Sequence, residues 1–123
     1  MKALLILAHG SRRDESNKEV EQLTKMVREQ SIGEYDEITH AFLELAEPDM
    51  HSAVSLLVGK GAQTIMVLPY FLNSGNHVSQ DIPDLIEQAK DMFPDCNFHV
   101  TKPIGMHEDM PALLLQCAKQ TIH

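Results

Sequence analysis

Hydrophobic and polar positions change period repeatedly along the chain, and each change marks an element. Lys2–Ala8 is an almost unbroken apolar run of strand length, the pattern of a parallel strand covered on both faces. A polar turn leads into a charged stretch from about Asp14 to Gln30, in which Val20, Leu23, Met26 and Val27 fall at helical spacing. Gly33 is expected to close that helix, where positive φ is often required. Glu37–Leu45 predicts a second strand. Pro48-Asp49 then opens a second helix, with Asp49 as N-cap and Met50, Ala53, Val54, Leu57 and Val58 as its buried stripe. Gly59 and Gly61 stop it. Thr64–Tyr70 predicts the third strand, and a loop with Asn73, Ser74, Gly75 and Asn76 follows. A helix from about Ser79 or Asp81 to Phe93 turns Leu85, Ile86, Ala89 and Met92 inward. Asn97–Thr101 reads as a fourth strand and Asp109–Ile122 as a last helix, with Pro111 near its first turn.

Strands that alternate with helices imply a parallel sheet with helices on both faces. The expected architecture is one α/β domain over residues 1–123, with a four-stranded, mostly parallel sheet in the order 2-1-3-4, flavodoxin-like in its winding. No internal repeat, low-complexity tract or linker interrupts it.

Composition narrows the function classes. A formal net charge of −8, with no basic cluster larger than Arg12-Arg13, argues against a nucleic-acid partner, because neutralising phosphates needs a basic surface. No stretch approaches the ~20 apolar residues that cross a bilayer. The Leu4–Ala8 run is too short for a signal peptide and is followed at once by His9-Gly10-Ser11-Arg12-Arg13, so a cytoplasmic protein is the expectation. Cys96 and Cys117 are far apart, with no C-x-x-C, and read as small buried apolar residues rather than zinc or iron–sulfur ligands.

Ligands of open parallel sheets bind at the carboxyl ends of the strands. The first strand delivers His9-Gly10-Ser11 there, the second Phe42-Leu43-Glu44, the third Pro69 to Leu72 and then Gly75-Asn76-His77, and the fourth Pro103 to His107. Imidazoles with one carboxylate suit a borderline divalent metal such as cobalt, nickel, iron or zinc. Plainer roles stand beside this one. His9 can bond across its turn, Glu44 can cap a helix or face solvent, His77 can be solvated in its loop, and His107 can serve a helix start. His40, His51, His99 and His123 read as structural or exposed, and Arg12 and Arg13 as solvated charges at a helix entry.

Ala8-His9-Gly10-Ser11-Arg12, Phe42-Leu43-Glu44 with Pro48 behind it, Pro69-Tyr70-Phe71-Leu72-x-x-Gly75-x-His77-x-x-x-Asp81-Ile82-Pro83, and Pro103-Ile104-Gly105-x-His107 resemble the CbiX-type sirohydrochlorin chelatases. The resemblance keeps all these segments in order over nearly the whole chain, and the third is the most specific. It implies a chelatase-like domain of the short form, and a homodimer in which two copies face each other as the two halves of a long chelatase do. It implies insertion of a divalent metal, cobalt first and iron or nickel next, into a sirohydrochlorin-type tetrapyrrole on the way to cobalamin or siroheme. The metal is then a substrate, and no tightly bound cofactor is expected. The family's metal-binding and catalytic histidine pair falls on His9 and His77, and its acidic site residue on Glu44.

The chemistry agrees with those residue types. The macrocycle must give up two pyrrolic protons as the metal sheds water, and neutral imidazole is both a ligand and a proton acceptor near neutral pH. The ligation must stay open, since a closed four-ligand site would retain the metal. Ser11, Arg12, Arg13, Gly75, His107 and the backbone N–H groups at helix starts are the candidates for the substrate's carboxylates, with Lys102 a weaker one. A histidine phosphatase is disfavoured, because Ala8 stands where such an enzyme needs an arginine. A non-catalytic metal or tetrapyrrole carrier and a purely structural module are the alternatives from other classes.

Overall fold

The computed structural model describes residues 1–73 and 75–122, and of residues 76–79 only the backbone. Strand β1 (Lys2–Ala8) is the pivot of the sheet. It pairs in parallel with β2 (Glu37–Phe42) on one side and β3 (Thr64–Pro69) on the other, and β3 pairs in parallel with β4 (Asn97–Val100). The order is β2-β1-β3-β4, as the alternating pattern predicted. Four helices join and follow the strands: α1 (Asp14–Gln30), α2 (Met50–Gly59), α3 (Asn76–Met92) and α4 (Met110–Ala118), the last preceded by a 3₁₀ turn at Ile104–Met106.

Period-two alternation divides the strand side chains between the two faces. Ala3, Leu5, Leu7, Ile65, Val67 and Phe98 point to the face covered by α2 and α3, where they meet Ala53, Val54, Leu57, Ile82 and Ile86. Leu4, Ile6 and Ile38 point to the other face, under Val27 and Tyr35. Each fully buried leucine or isoleucine here contributes about 2 kcal/mol by leaving water. Among the described residues no helix is long and apolar enough to cross a membrane.

Several expected boundaries shift, for local reasons. The inward side of α1 runs through two polar residues, Asn17 and Thr24, while Met26 is exposed. Thr24 satisfies its hydroxyl by donating to the Val20 carbonyl at 2.8 Å. α1 ends on an extended Ser31, and Gly33, with φ +90°, serves the turn beyond it rather than the helix end. β2 stops at Phe42 instead of Leu45, because the chain bends through Leu43-Glu44 and Leu45 adopts a φ of 66°. α3 starts at Asn76 rather than Ser79 or Asp81 and carries Pro83 inside it. Ile82 supplies its buried stripe together with Ile86 and Ala89, and Met92 is exposed. α4 ends at Ala118 rather than Ile122 and buries none of its residues, so Cys117, expected inside, is exposed while Cys96 is buried.

Candidate functional site

Two backbone hydrogen bonds carry the β1–β2 pairing past the strand ends. Leu43 N–H donates to the Ala8 carbonyl at 2.9 Å, and Glu44 N–H to the His9 carbonyl at 3.2 Å. The loops can approach this closely only because residue 10 is glycine. Its φ is +94°, and a Cβ there would overlap the Glu44 carbonyl oxygen. As a result His9 and Glu44 leave the sheet edge side by side, with His9 Nε2 3.4 Å from Glu44 Oε1. Both side chains remain more than half exposed, so the pair is open to a ligand. The His9 ring meets the buried Phe71 ring edge-on, at 6.2 Å between centroids, which limits its orientation.

The loop before α1 is held by Asn17. Its side chain accepts the Ser11 N–H at 3.0 Å and donates to the Ser11 carbonyl at 2.8 Å, while Ser11 Oγ accepts the Arg13 N–H at 3.0 Å. A buried asparagine therefore fixes the segment that presents His9. The hydrophobic pattern held no sign of this, since Asn17 occupies an ordinary polar place in α1.

His9 and Glu44 open into a cavity of ≈ 470 Å³, whose described lining also includes Leu43, Asp81, Asp84, Leu85 and Gln88. Asp81 and Asp84, one helical turn apart on α3, are the residues that sequence reasoning passed over. Asp81 lies within a recognisable motif, but nothing in the sequence showed that the α3 register would aim both carboxylates at the β1 edge. Three carboxylates around one imidazole make a cavity that attracts a cation.

Other candidates fall elsewhere. His77 lies within the span of α3, and its side chain is outside the described residues. His107 does not line this cavity. Its Nδ1 accepts the Asp109 N–H at 3.0 Å, so the neutral ring carries its proton on Nε2. It lines a second cleft with Lys102 and Thr101. Arg12 is exposed, and Arg13 is an exposed partner of Glu15 at 3.7 Å. Neither arginine, nor Ser11, nor Gly75, is among the described lining residues of the His9–Glu44 cavity. Gly75 is the N-cap of α3, in extended conformation. Among the described residues no three His, Cys, Asp or Glu side chains already stand in metal-holding geometry.

The His9–Glu44 separation has chemical meaning. It is too long for a charge-assisted hydrogen bond, which closes to about 2.8 Å. Two donors that each sit about 2.1 Å from a tetrahedral ion are about 3.4 Å apart, so the pair has the spacing of two ligands on one metal.

A sequence model of the CbiX family matches residues 3–121. The chain belongs to the CbiX family. It is 40% identical over 104 residues to the chloroplastic sirohydrochlorin ferrochelatase of Arabidopsis thaliana, a stretch covering 85% of this chain and 45% of that protein. The chain spans about half the length of the curated relatives it matches first. Among solved structures, a cobalamin biosynthesis CbiX protein from Marinobacter aquaeolei superposes with a TM-score of 0.85 at 26% identity, covering 97% of this chain and 95% of that one. The sirohydrochlorin chelatase SirB of Bacillus subtilis subspecies spizizenii, in complex with cobalt, gives a TM-score of 0.85 at 28% identity over 96% of this chain and 50% of its own. The CbiX fold thus occurs both as a unit of this size and as half of a longer chain.

Proposed function

We propose that this chain inserts a divalent metal, cobalt foremost and iron or nickel alternatively, into sirohydrochlorin. The observation that carries the reading is the His9–Glu44 pair, open to solvent and set at the spacing of two ligands on one ion, at the carboxyl edge of the sheet. The relatives support it, since the Arabidopsis protein is a sirohydrochlorin ferrochelatase and SirB a sirohydrochlorin chelatase seen with cobalt.

In this reading the metal enters as the aquo ion and exchanges water for His9 Nε2 and Glu44 Oε1. His77, whose backbone lies in α3, is the third ligand of this reading. Two imidazoles and a carboxylate hold a borderline metal firmly enough to position it and loosely enough to release it. The free-base macrocycle loses two N–H protons and gains the metal, so two protons must leave for each turnover. Neutral imidazole and carboxylate at the site are the acceptors, and they return the protons to water between turnovers. Arg12, Arg13, Ser11 and the Nε2–H of His107 are donors for the macrocycle's carboxylates. SirB is matched over 50% of its own chain, which supports a reading in which two copies of this chain facing each other supply the equivalent site.

The test is an absorption-monitored assay with sirohydrochlorin and cobalt(II), iron(II) or nickel(II), using wild type and the His9→Ala and His77→Ala variants. Catalytic conversion of the macrocycle spectrum, lost in folded variants by about a hundredfold or more, is the expected result. Stoichiometric binding of metal or macrocycle without turnover would replace this reading with that of a carrier.

A further inference from the structure

Leu45 combines two unfavourable features. Among the described residues it is the one non-glycine with positive φ, at 66°, a conformation that costs leucine more than glycine or asparagine. Its side chain returns nothing to the fold, since it is 54% exposed and packs against neither core cluster. The turn is imposed by its neighbours. Glu44 N–H is tied to the His9 carbonyl at 3.2 Å and Phe42 N–H to the Pro48 carbonyl at 2.9 Å, so the chain between must fold back. A solitary exposed leucine is ordinary on a protein surface. A strained one directly after a site carboxylate calls for a use outside the fold.

Leu72 stands in the corresponding place on the other side of β1. Tyr70 N–H donates to the Leu7 carbonyl at 2.8 Å, which carries the β1–β3 pairing past its end as Glu44 does for β1–β2. Phe71 then turns into the core and meets the His9 ring edge-on, whereas Leu72 is 74% exposed and joins neither core cluster. Its backbone is nonetheless fixed. Gly105 N–H donates to the Phe71 carbonyl at 2.9 Å, and a Cβ on Gly105 would overlap the Leu72 carbonyl oxygen. β1 lies between β2 and β3, and at the usual strand spacing the two loops leave the sheet roughly 10 Å apart, with His9 between them.

We propose that Leu45 and Leu72 carry the flat apolar face of the macrocycle, so that its nitrogens face the His9–Glu44 pair. This rests on, and deepens, the sirohydrochlorin reading above. Charge supports it. The macrocycle's carboxylates lie on its rim, and Glu44, Asp81, Asp84 and a net charge of −8 repel them. Much of the attraction must therefore come from the apolar face of the ring leaving water. Leucines on either side of the imidazole supply that contact and leave the metal donors uncovered. Glycine or asparagine would suit the turn at Leu45 better, but neither offers apolar surface to a ligand.

The test titrates metal-free sirohydrochlorin into the full chain and into its Leu45→Asn, Leu45→Met and Leu72→Ser variants, followed by macrocycle fluorescence, and repeats the metal-insertion assay on each. Asparagine tolerates the left-handed turn, so Leu45→Asn is expected to melt no lower than wild type. It should nevertheless bind sirohydrochlorin about tenfold more weakly, the loss of one leucine's buried surface. Leu72→Ser should weaken binding by a similar factor, and Leu45→Met should bind as wild type does. The metal concentration for half-maximal rate should stay the same in all three. Unaltered sirohydrochlorin affinity in Leu45→Asn and Leu72→Ser overturns the proposal and leaves the chelatase reading standing. A metal dependence that shifts as much as the macrocycle's also overturns it, because the leucine then acts through Glu44. A changed mass in light scattering assigns the leucines to contact between copies and overturns it as well. A wild type that neither binds nor converts sirohydrochlorin removes both readings.

Discussion

A methyl group on residue 10 would occupy the space of the Glu44 carbonyl oxygen. The glycine of the His9-Gly10 step is therefore what lets the β1–α1 and β2–α2 loops run in close contact, and that contact sets the 3.4 Å separation of His9 and Glu44. Gly10→Ala is expected to cost about 2 kcal/mol or more, combining the left-handed backbone penalty with the clash. On protein kept folded at low temperature, chelation should fall at least about tenfold, because the paired donors separate. Gly33→Ala is the control. It shares the positive φ but its Cβ would meet nothing, so it should lower the melting temperature while leaving turnover per folded molecule unchanged. Equal activity losses in both variants would show that strain in general, rather than the close contact of the loops, governs the site.

Sequence periodicity was enough to find the strands and their order, because a run such as Lys2–Ala8 has few other ways to bury both faces. The adjacency of His9 and Glu44 followed from placing β2 beside β1. Asp81 and Asp84 stayed hidden because their approach to His9 depends on the rotation of α3, which is set by Ile82, Ile86 and Ala89 packing into the core. Met26 was misplaced because the inward face of α1 accepts Asn17 and Thr24, whose polar atoms are satisfied locally and escape a hydrophobic count. α4 failed differently. Its pattern says it must be buried, but a pattern in one chain does not say against which surface.

Asp81 and Asp84 act through their field if they draw metal toward His9 and Glu44. Asp84→Asn is expected to raise the metal concentration for half-maximal rate by about threefold to tenfold, with the saturating rate little changed. Added salt should shrink the difference, since screening at about 0.15 M already weakens charges more than ~8 Å apart. A fall in the saturating rate at unchanged metal dependence would instead place Asp84 in the proton path.

Asp49 caps α2, its carboxylate accepting the Ser52 N–H at 2.8 Å, and this bond lowers its pKa in the folded state. Asp49→Ala is expected to cost about 1 kcal/mol at neutral pH. The sign follows from the lowered value. The stabilisation is fully present above the ordinary carboxylate pKa of 3.8 and is lost as pH falls through the lower folded value. Urea midpoints at pH 7 and pH 3 should therefore show the wild-type advantage over Asp49→Ala shrinking in acid. A constant advantage would mean that the charge of the cap contributes nothing.

His40 offers the opposite kind of test, a residue whose polarity works against the fold. It lies on β2 beside Ile6 of β1, its ring 5.3 Å edge-on from Phe42, and its Nε2 is buried with no hydrogen-bond partner among the described residues. Burial pushes its pKa below the ordinary 6.5, with Glu21 opposing the shift and Arg28 adding to it. For a base whose folded pKa is lowered, stability is highest above 6.5 and declines as pH drops from there toward the folded value, because the unfolded chain takes up the proton first. His40→Phe removes the unpaired nitrogen and keeps an aromatic ring against Phe42. It is expected to raise stability at pH 7.5 by about 1 kcal/mol, the lower part of the range for a buried group without a partner. It should also flatten the decline between pH 6.5 and 5, so the gain over wild type grows in that window. Denaturant midpoints of both proteins at pH 7.5 and 5.5 decide the matter. A gain that stays the same at both values would mean that His40 is no source of the acid sensitivity, and that any benefit of the substitution is packing alone.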